Sequence, residues 1–134
     1  MKKLLAIALL AASPVLHAET PQQFLDVFSA EASRTQPGFA PSAQRGAAFF
    51  SHRFGVSERM PNCAACHTES PTAAGRHAVT GKPIQALSPR ANPERFTDAG
   101  KVEKWFRRNC NEVVGRACAP AEKADVLKYL IERS

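Results

Sequence analysis

Cys63, Cys66 and His67 stand together in one short run, Cys63-Ala64-Ala65-Cys66-His67. Two thiols with two residues between them lie about one helical turn apart. They can bond both vinyl groups on one edge of a porphyrin. A histidine beside the second thiol then lies over one face of the ring, where its imidazole can bind iron. The run is the attachment signature of a c-type haem, one and covalent. A thioredoxin-like redox pair belongs near a βαβ pattern, and no series of strands is legible here. A zinc site needs about four ligands. Cys110 and Cys118, with seven residues between them, lack the spacing of its second half.

What binds the other face of the haem decides the chemistry. A methionine sulfur is the usual second ligand of small cytochromes c. Beyond Met1 the chain has Met60 alone, and Met60 is tied by three residues to the attachment edge. His77, ten residues after His67, can reach as a second imidazole. His52 sits on an expected helix and is read as facing solvent. Lys101 and Lys104 are expected off the apolar stripe of their helix. That stripe is Val102, Trp105, Phe106 and Asn109, spaced i, i+3, i+4 and i+7. Asn109 therefore continues an apolar face, and an amide aimed into a core must find a partner. Iron is one such partner. Alternatively Asn109 ends the helix, because asparagine tolerates the left-handed conformation found there. The residues alone lean towards the second reading and leave both open.

These groups need elements to hold them. Thr20-Pro21-Gln22-Gln23 opens a helix, with Thr20 as cap, Pro21 in first position and Gln23 reaching back. Phe24, Val27, Phe28 and Ala32 give it an apolar stripe. A second helix is expected from Pro41-Ser42 to about Arg53. Gly46 inside it costs about 1 kcal/mol against alanine, which a close helix crossing would explain. The helix that opens at Pro120, with Ala124, Leu127, Leu130 and Ile131 at helical spacing, is the expected partner. Between Thr68 and Phe96 the chain is rich in Pro, Gly, Ser and Thr and shows no period. A loop of that length is disordered or wrapped around something, and haem gives it something to wrap around. Thr97 is expected to cap the helix of the Val102 stripe, with Asp98 in its first turn.

The chain opens Met1-Lys2-Lys3, then an apolar run from Leu4 to Ala12, then Ser13-Pro14-Val15-Leu16-His17 and the small residue Ala18 before a polar segment. This reads as an export signal over residues 1–18, cleaved near Ala18. The run is too short for a membrane span of about 20 residues. Residues 19–134 then form one domain, expected in the periplasm and as a monomer. Lys2 and Lys3 take two of the 18 basic residues, so 16 face 12 acidic ones, about +4. That suits an acidic protein partner. Nucleic acid is not expected, because no dense basic helix or aromatic ladder is present. In an oxidising compartment, Cys110 and Cys118 are expected to pair, with free thiols as the alternative. Closing that loop gives roughly 2.6 kcal/mol on a chain-entropy account.

A longer pattern surrounds these residues. Leu87-Ser88-Pro89-Arg90-Ala91-Asn92-Pro93-Glu94-Arg95-Phe96-Thr97-Asp98 is followed by Val102-Glu103-Lys104-Trp105 and Arg108-Asn109-Cys110-Asn111. Gly115-Arg116, Cys118 and Glu122-Lys123-Ala124-Asp125 complete it, with Thr80-Gly81-Lys82 and Ile84 upstream. From about Gln44 to Leu130 the chain resembles the sphaeroides haem protein family, oxygen-binding monohaem cytochromes c. The resemblance implies an all-α, class I cytochrome c-like fold with an additional N-terminal helix. It implies His67 as proximal ligand, Asn109 as distal ligand of the oxidised iron, and Cys110–Cys118 as a disulfide bracing the distal loop. Trp105 is expected against the cofactor. A weak amide ligand favours ferric iron, so reduction releases it and opens a position for oxygen, nitric oxide or carbon monoxide. The expected donors are a dihaem cytochrome c and a membrane b-type cytochrome. Two other functions remain open at this stage: plain electron transfer with a permanent sixth ligand, and enzymatic chemistry on nitric oxide or peroxide. No catalytic residue is assigned.

Overall fold

A computed structural model describes residues 18–132. The expected export signal lies outside the described residues except for Ala18. The elements run α1 (Pro21–Thr35), α2 (Ala43–Ser51), α3 (Ala64–His67), β1 (Gly75–Arg76), β2 (Pro83–Ile84), α4 (Ala99–Asn109), a π turn (Cys110–Val114) and α5 (Pro120–Glu132). The fold is all-α with one two-residue hairpin, Gly75 opposite Ile84 and Arg76 opposite Pro83.

α1 begins as its residues dictate. The Thr20 hydroxyl accepts from the Gln23 amide and the Gln23 side chain accepts from the Thr20 amide. Its buried face is Phe24, Leu25, Phe28 and Ala32. Val27, expected in the stripe, is 51% exposed. On the helical wheel the arc runs from Phe24 through Phe28 and Ala32 to Leu25, and Val27 falls outside it. Phe28 and Leu127 are fully buried, each worth about 2–3 kcal/mol of burial.

α5 is the shared wall, packed by α1 on one side and α2 on the other. Ala124 and Leu127 join Phe24, Leu25, Phe28 and Val102, while Val126, Tyr129 and Leu130 join Phe50. The crossing with α2 is as close as Gly46 requires. A Cβ there would collide with the Asp125 carbonyl and meet the Tyr129 Cβ at 2.9 Å. Asp125, absent from the expected face, is buried beside the crossing. Its carboxylate accepts from the Ser42 amide (2.7 Å) and from Arg45 Nε and Nη2 (2.7 and 2.8 Å). So the N-terminus of α2 is fastened to α5. α2 stops at Ser51, two residues before the expected end, and Phe54 folds back beside Phe49 with ring centroids 5.1 Å apart.

The segment after His67 is ordered by local bonds. The Pro71 carbonyl accepts from the Leu87 and Ser88 amides (3.0 and 2.9 Å), and Ser88 is fully buried. Gly75 passes so close to the attachment run that a Cβ would collide with the Cys66 carbonyl. α4 is capped one residue later than expected. Asp98 accepts from the Lys101 amide (2.8 Å), whereas the Thr97 hydroxyl donates to the Glu94 carbonyl (2.9 Å). The backbone at Asp98 is extended (φ −144°), as a capping residue requires.

A candidate haem site between the attachment run and α4

The packing of α4, α5 and the 77–98 segment around the Cys63–His67 run leaves a cavity of about 600 Å³. That is within the range of cofactor pockets. Cys63, Cys66 and His67 line it, as do Trp105, Asn109, Cys110 and Cys118. Phe50, Leu87, Phe96, Val102, Phe106, Val126 and Leu130 supply apolar wall. The 68–96 segment expected to wrap something contributes His77, Thr80, Lys82, Ile84, Gln85 and Arg95 to the same lining.

α3 places the attachment residues on one turn. Cys66 is buried and Cys63 half-buried, and neither takes part in a disulfide. Burial, then the neighbouring Cys66, pushes the Cys63 thiol up to about 11. A redox Cys-x-x-Cys pair needs the opposite, a thiol made acidic. Cys66 Sγ accepts from the Ala78 amide (3.2 Å). Among the described residues no group of three or more His, Cys, Asp or Glu converges as a metal site.

His67 Nδ1 is buried and has no hydrogen-bond partner. Burial first, then the charges of Arg95 and His77, pushes its imidazole down to about 4. The ring is therefore neutral near pH 7, the form that binds a metal. It lies 6.3 Å from the Phe50 ring, which in turn lies 5.6 Å from Tyr129. A buried imidazole short of a partner, two adjacent thiols and an apolar cavity beside them fit a covalently attached haem.

α4 supplies the opposing residues. Phe106 packs edge-on against Phe28 (5.5 Å, 83°), and Val102 is buried. Trp105 is 44% exposed, so the expected stripe is only partly inward. Its ring lies at the rim, with Lys104 and Arg108 at 5.5 and 5.6 Å. Asn109 is half-buried, its backbone right-handed (φ −66°, ψ −39°). It does not end the helix in a left-handed conformation. The chain continues into the π turn, the Gly115 amide donates to the Cys110 carbonyl (3.0 Å), and Gly115 takes the left-handed place (φ 78°). Cys110 and Cys118 are disulfide-bonded. Such π insertions recur at functional sites.

The other ligand candidates separate. His52 is exposed, lies outside the lining and meets Phe54 edge-on (4.8 Å). Lys104 is outside the lining, whereas Met60, Lys101 and His77 are on it. His77 Nδ1 accepts from the Val79 and Thr80 amides (both 3.2 Å), which binds the ring into the hairpin turn. The sequence reading missed Arg95 and Phe96 as members of the site. Nothing periodic marks either of them.

Comparison with known proteins points the same way. The family described as "Domain of unknown function (DUF1924)" matches residues 36–130. Cytochrome c-type protein SHP of Cereibacter sphaeroides is 42% identical over 97% of this chain and 98% of its own length. The structure of oxidized SHP, described as an oxygen binding cytochrome c, has a TM-score of 0.77 over 86% of this chain and 98% of that chain, at 42% identity. Cytochrome c'' of Methylophilus methylotrophus is 45% identical over 69% of this chain and 65% of its own length. Its solution structure, described as giving insights into haem-ligand detachment, has a TM-score of 0.71 over 83% of this chain and 91% of that chain, at 38% identity.

Proposed function

We propose that this chain, which belongs to the sphaeroides haem protein family of c-type cytochromes, carries haem c and binds a small diatomic gas in its reduced state. The oxygen-binding description of its relative SHP supports this. So does the description of haem-ligand detachment in cytochrome c''. The observation that carries the reading is the place of Asn109, an amide on the cavity lining at the junction of α4 and the π turn. Cys63 and Cys66 are the thioether anchors and His67 the proximal ligand. When bound, the haem supplies an iron whose remaining coordination position can accept oxygen, nitric oxide or carbon monoxide.

The chain's own residues do the rest. His67 presents a neutral imidazole, held by burial beside Phe50. Val102, Phe106, Val126 and Leu130 keep water from the cavity. Asn109 supplies a neutral amide, a weak donor to a metal. With haem bound, that amide would favour the ferric state and would be released on reduction, leaving its N–H available as a donor to the gas. Cys110, bonded to Cys118, limits the withdrawal. The protein is placed in the periplasm, with a dihaem cytochrome c and a membrane b-type cytochrome as electron donors.

Plain electron transfer is the second reading. His77 favours it, because it lies on the same lining and its Nε2 is not used in the turn. A reduced absorption spectrum with and without carbon monoxide separates the two. Gas binding predicts a high-spin ferrous spectrum that shifts promptly with carbon monoxide. A low-spin spectrum indifferent to carbon monoxide refutes it and makes His77 the next ligand to test.

A further inference from the structure

Arg95 is a half-buried cation on the cavity lining. Its Nε donates to the Ala86 carbonyl (2.9 Å) and its Nη2 to the Gln85 carbonyl (2.7 Å). Both acceptors are neutral. They fix the plane of the guanidinium without offsetting its charge. No ion pair joins Arg95 to a carboxylate among the described residues, unlike Arg45, Arg108 and Arg116. Burial alone lowers its pKa, whereas Arg45 and Arg116 are raised by Asp125 and Glu122. Four acidic residues share the lining. Asp98 is occupied in capping α4, Glu112 is paired with Arg108 and Glu122 with Arg116, and Glu94 is exposed, its amide turned to the Asn92 side chain.

A charge removed from water is stable when it is paired. Here the fold supplies the arginine, its orientation and its burial, but no anion. Haem supplies carboxylates on its propionate arms, and a guanidinium already held by two carbonyls keeps free N–H groups in the fork geometry that carboxylates accept. We propose that Arg95 is the counter-ion of a haem propionate and that its charge raises the reduction potential of the haem. The proposal rests on attachment through Cys63 and Cys66. It does not depend on which group or gas binds the other face. A fixed positive charge offsets the propionate and favours the more electron-rich ferrous state. Removing it leaves the carboxylate uncompensated and favours ferric iron.

The test uses the haem-loaded full protein and two variants, Arg95→Gln and Arg95→Lys. Mass spectrometry first establishes one covalent haem on each. Spectroelectrochemical titration then reads the midpoint potential. Arg95→Gln should move the ferric/ferrous ratio about tenfold towards ferric, a fall of about 59 mV for one electron. Arg95→Lys should recover most of that shift, because it keeps the charge and loses only the fork. A lower thermal midpoint in Arg95→Gln with an unchanged potential would make Arg95 only a brace of the Gln85–Ala86 loop and overturn the proposal. Should Arg95→Gln fail to load haem, a crystal structure of the haem-loaded unaltered protein decides. A guanidinium farther than about 4 Å from every propionate oxygen overturns the proposal. The same samples exposed to carbon monoxide report on gas binding separately. Failure there leaves the potential shift standing, whereas absence of covalent haem removes both.

Discussion

Replacing Asp125 by alanine should lower the stability of the haem-loaded protein by about 2.5 kcal/mol. The figure comes from three hydrogen bonds of unequal worth. The Ser42 amide donates to a carboxylate that is buried, on the protein-facing side of the α2–α5 crossing. A bond of that kind contributes about 1.5 kcal/mol. Arg45 makes two bonds at 2.7 and 2.8 Å, but its side chain is 56% exposed. Water replaces it readily, so the pair together adds only about 1 kcal/mol. For a domain of this size the total corresponds to a fall of about 10 °C in the thermal midpoint. Asp125→Asn retains an acceptor for the Ser42 amide and loses the charge facing Arg45, so it should cost roughly half as much. Arg45→Ala should cost about 1 kcal/mol. The assay is thermal unfolding followed by far-ultraviolet circular dichroism and by the Soret band. If Arg45→Ala proves as damaging as Asp125→Ala, the exposed ion pair and not the capped amide holds the crossing, and the reasoning fails.

Three further outcomes follow from the site and its supports. Asn109→Ala should leave the ferric iron five-coordinate or water-bound and abolish the difference in ligand access between redox states. An unchanged ferric spectrum refutes that. Converting Cys110 and Cys118 to serine should cost roughly 2.6 kcal/mol and alter carbon monoxide kinetics more than haem content. Equal kinetics would show that the bridge does not restrain the distal turn. The pair Arg116–Glu122 (2.6 Å) should make stability depend on acid. The Arg116 hydrogen bond holds the Glu122 carboxyl below its ordinary 4.5. Its contribution is therefore complete above about 4.5 and disappears as pH falls through the lower folded value. Glu122→Gln should flatten that part of the acid unfolding profile, and an identical slope would count against it.

Legibility in the sequence followed physical locality. The α1 cap and the Cys63–His67 run were readable because each is fixed by neighbours a few residues away, and the Gly46 crossing because a glycine inside a helix is itself a local signal, although the residues it meets, Asp125 and Tyr129, are distant in sequence. Phe24 and Phe28 were placed correctly by period, but Val27 was not, since a stripe chosen by spacing alone does not say where its centre lies. The buried carboxylate of Asp125 was invisible, because its partners Ser42 and Arg45 are more than 75 residues distant. Arg95 was equally silent. In sequence it is one more basic residue in a loop, and only the fold shows that it lines a cavity while no carboxylate among the described residues forms an ion pair with it.

At Asn109 the structure does not have the left-handed helix stop towards which the residues alone lean. Asparagine after an apolar stripe commonly stops a helix in the left-handed conformation. Here the stop is delayed to Gly115, and the intervening residues form a π turn. At the junction the Cys110 amide is shared between the Phe106 and Arg107 carbonyls, and the Cys110 carbonyl bonds five residues ahead to Gly115. The hydrogen-bond register thus changes beside Asn109, and its neighbourhood is less firmly committed than the interior of α4. Immediately afterwards, Cys110 is buried and covalently bound to Cys118, next to the start of α5. The detachable ligand proposed for Asn109 would use that combination, a change of register followed by a covalent stop, which a histidine held in the turn of β1 and β2 does not offer.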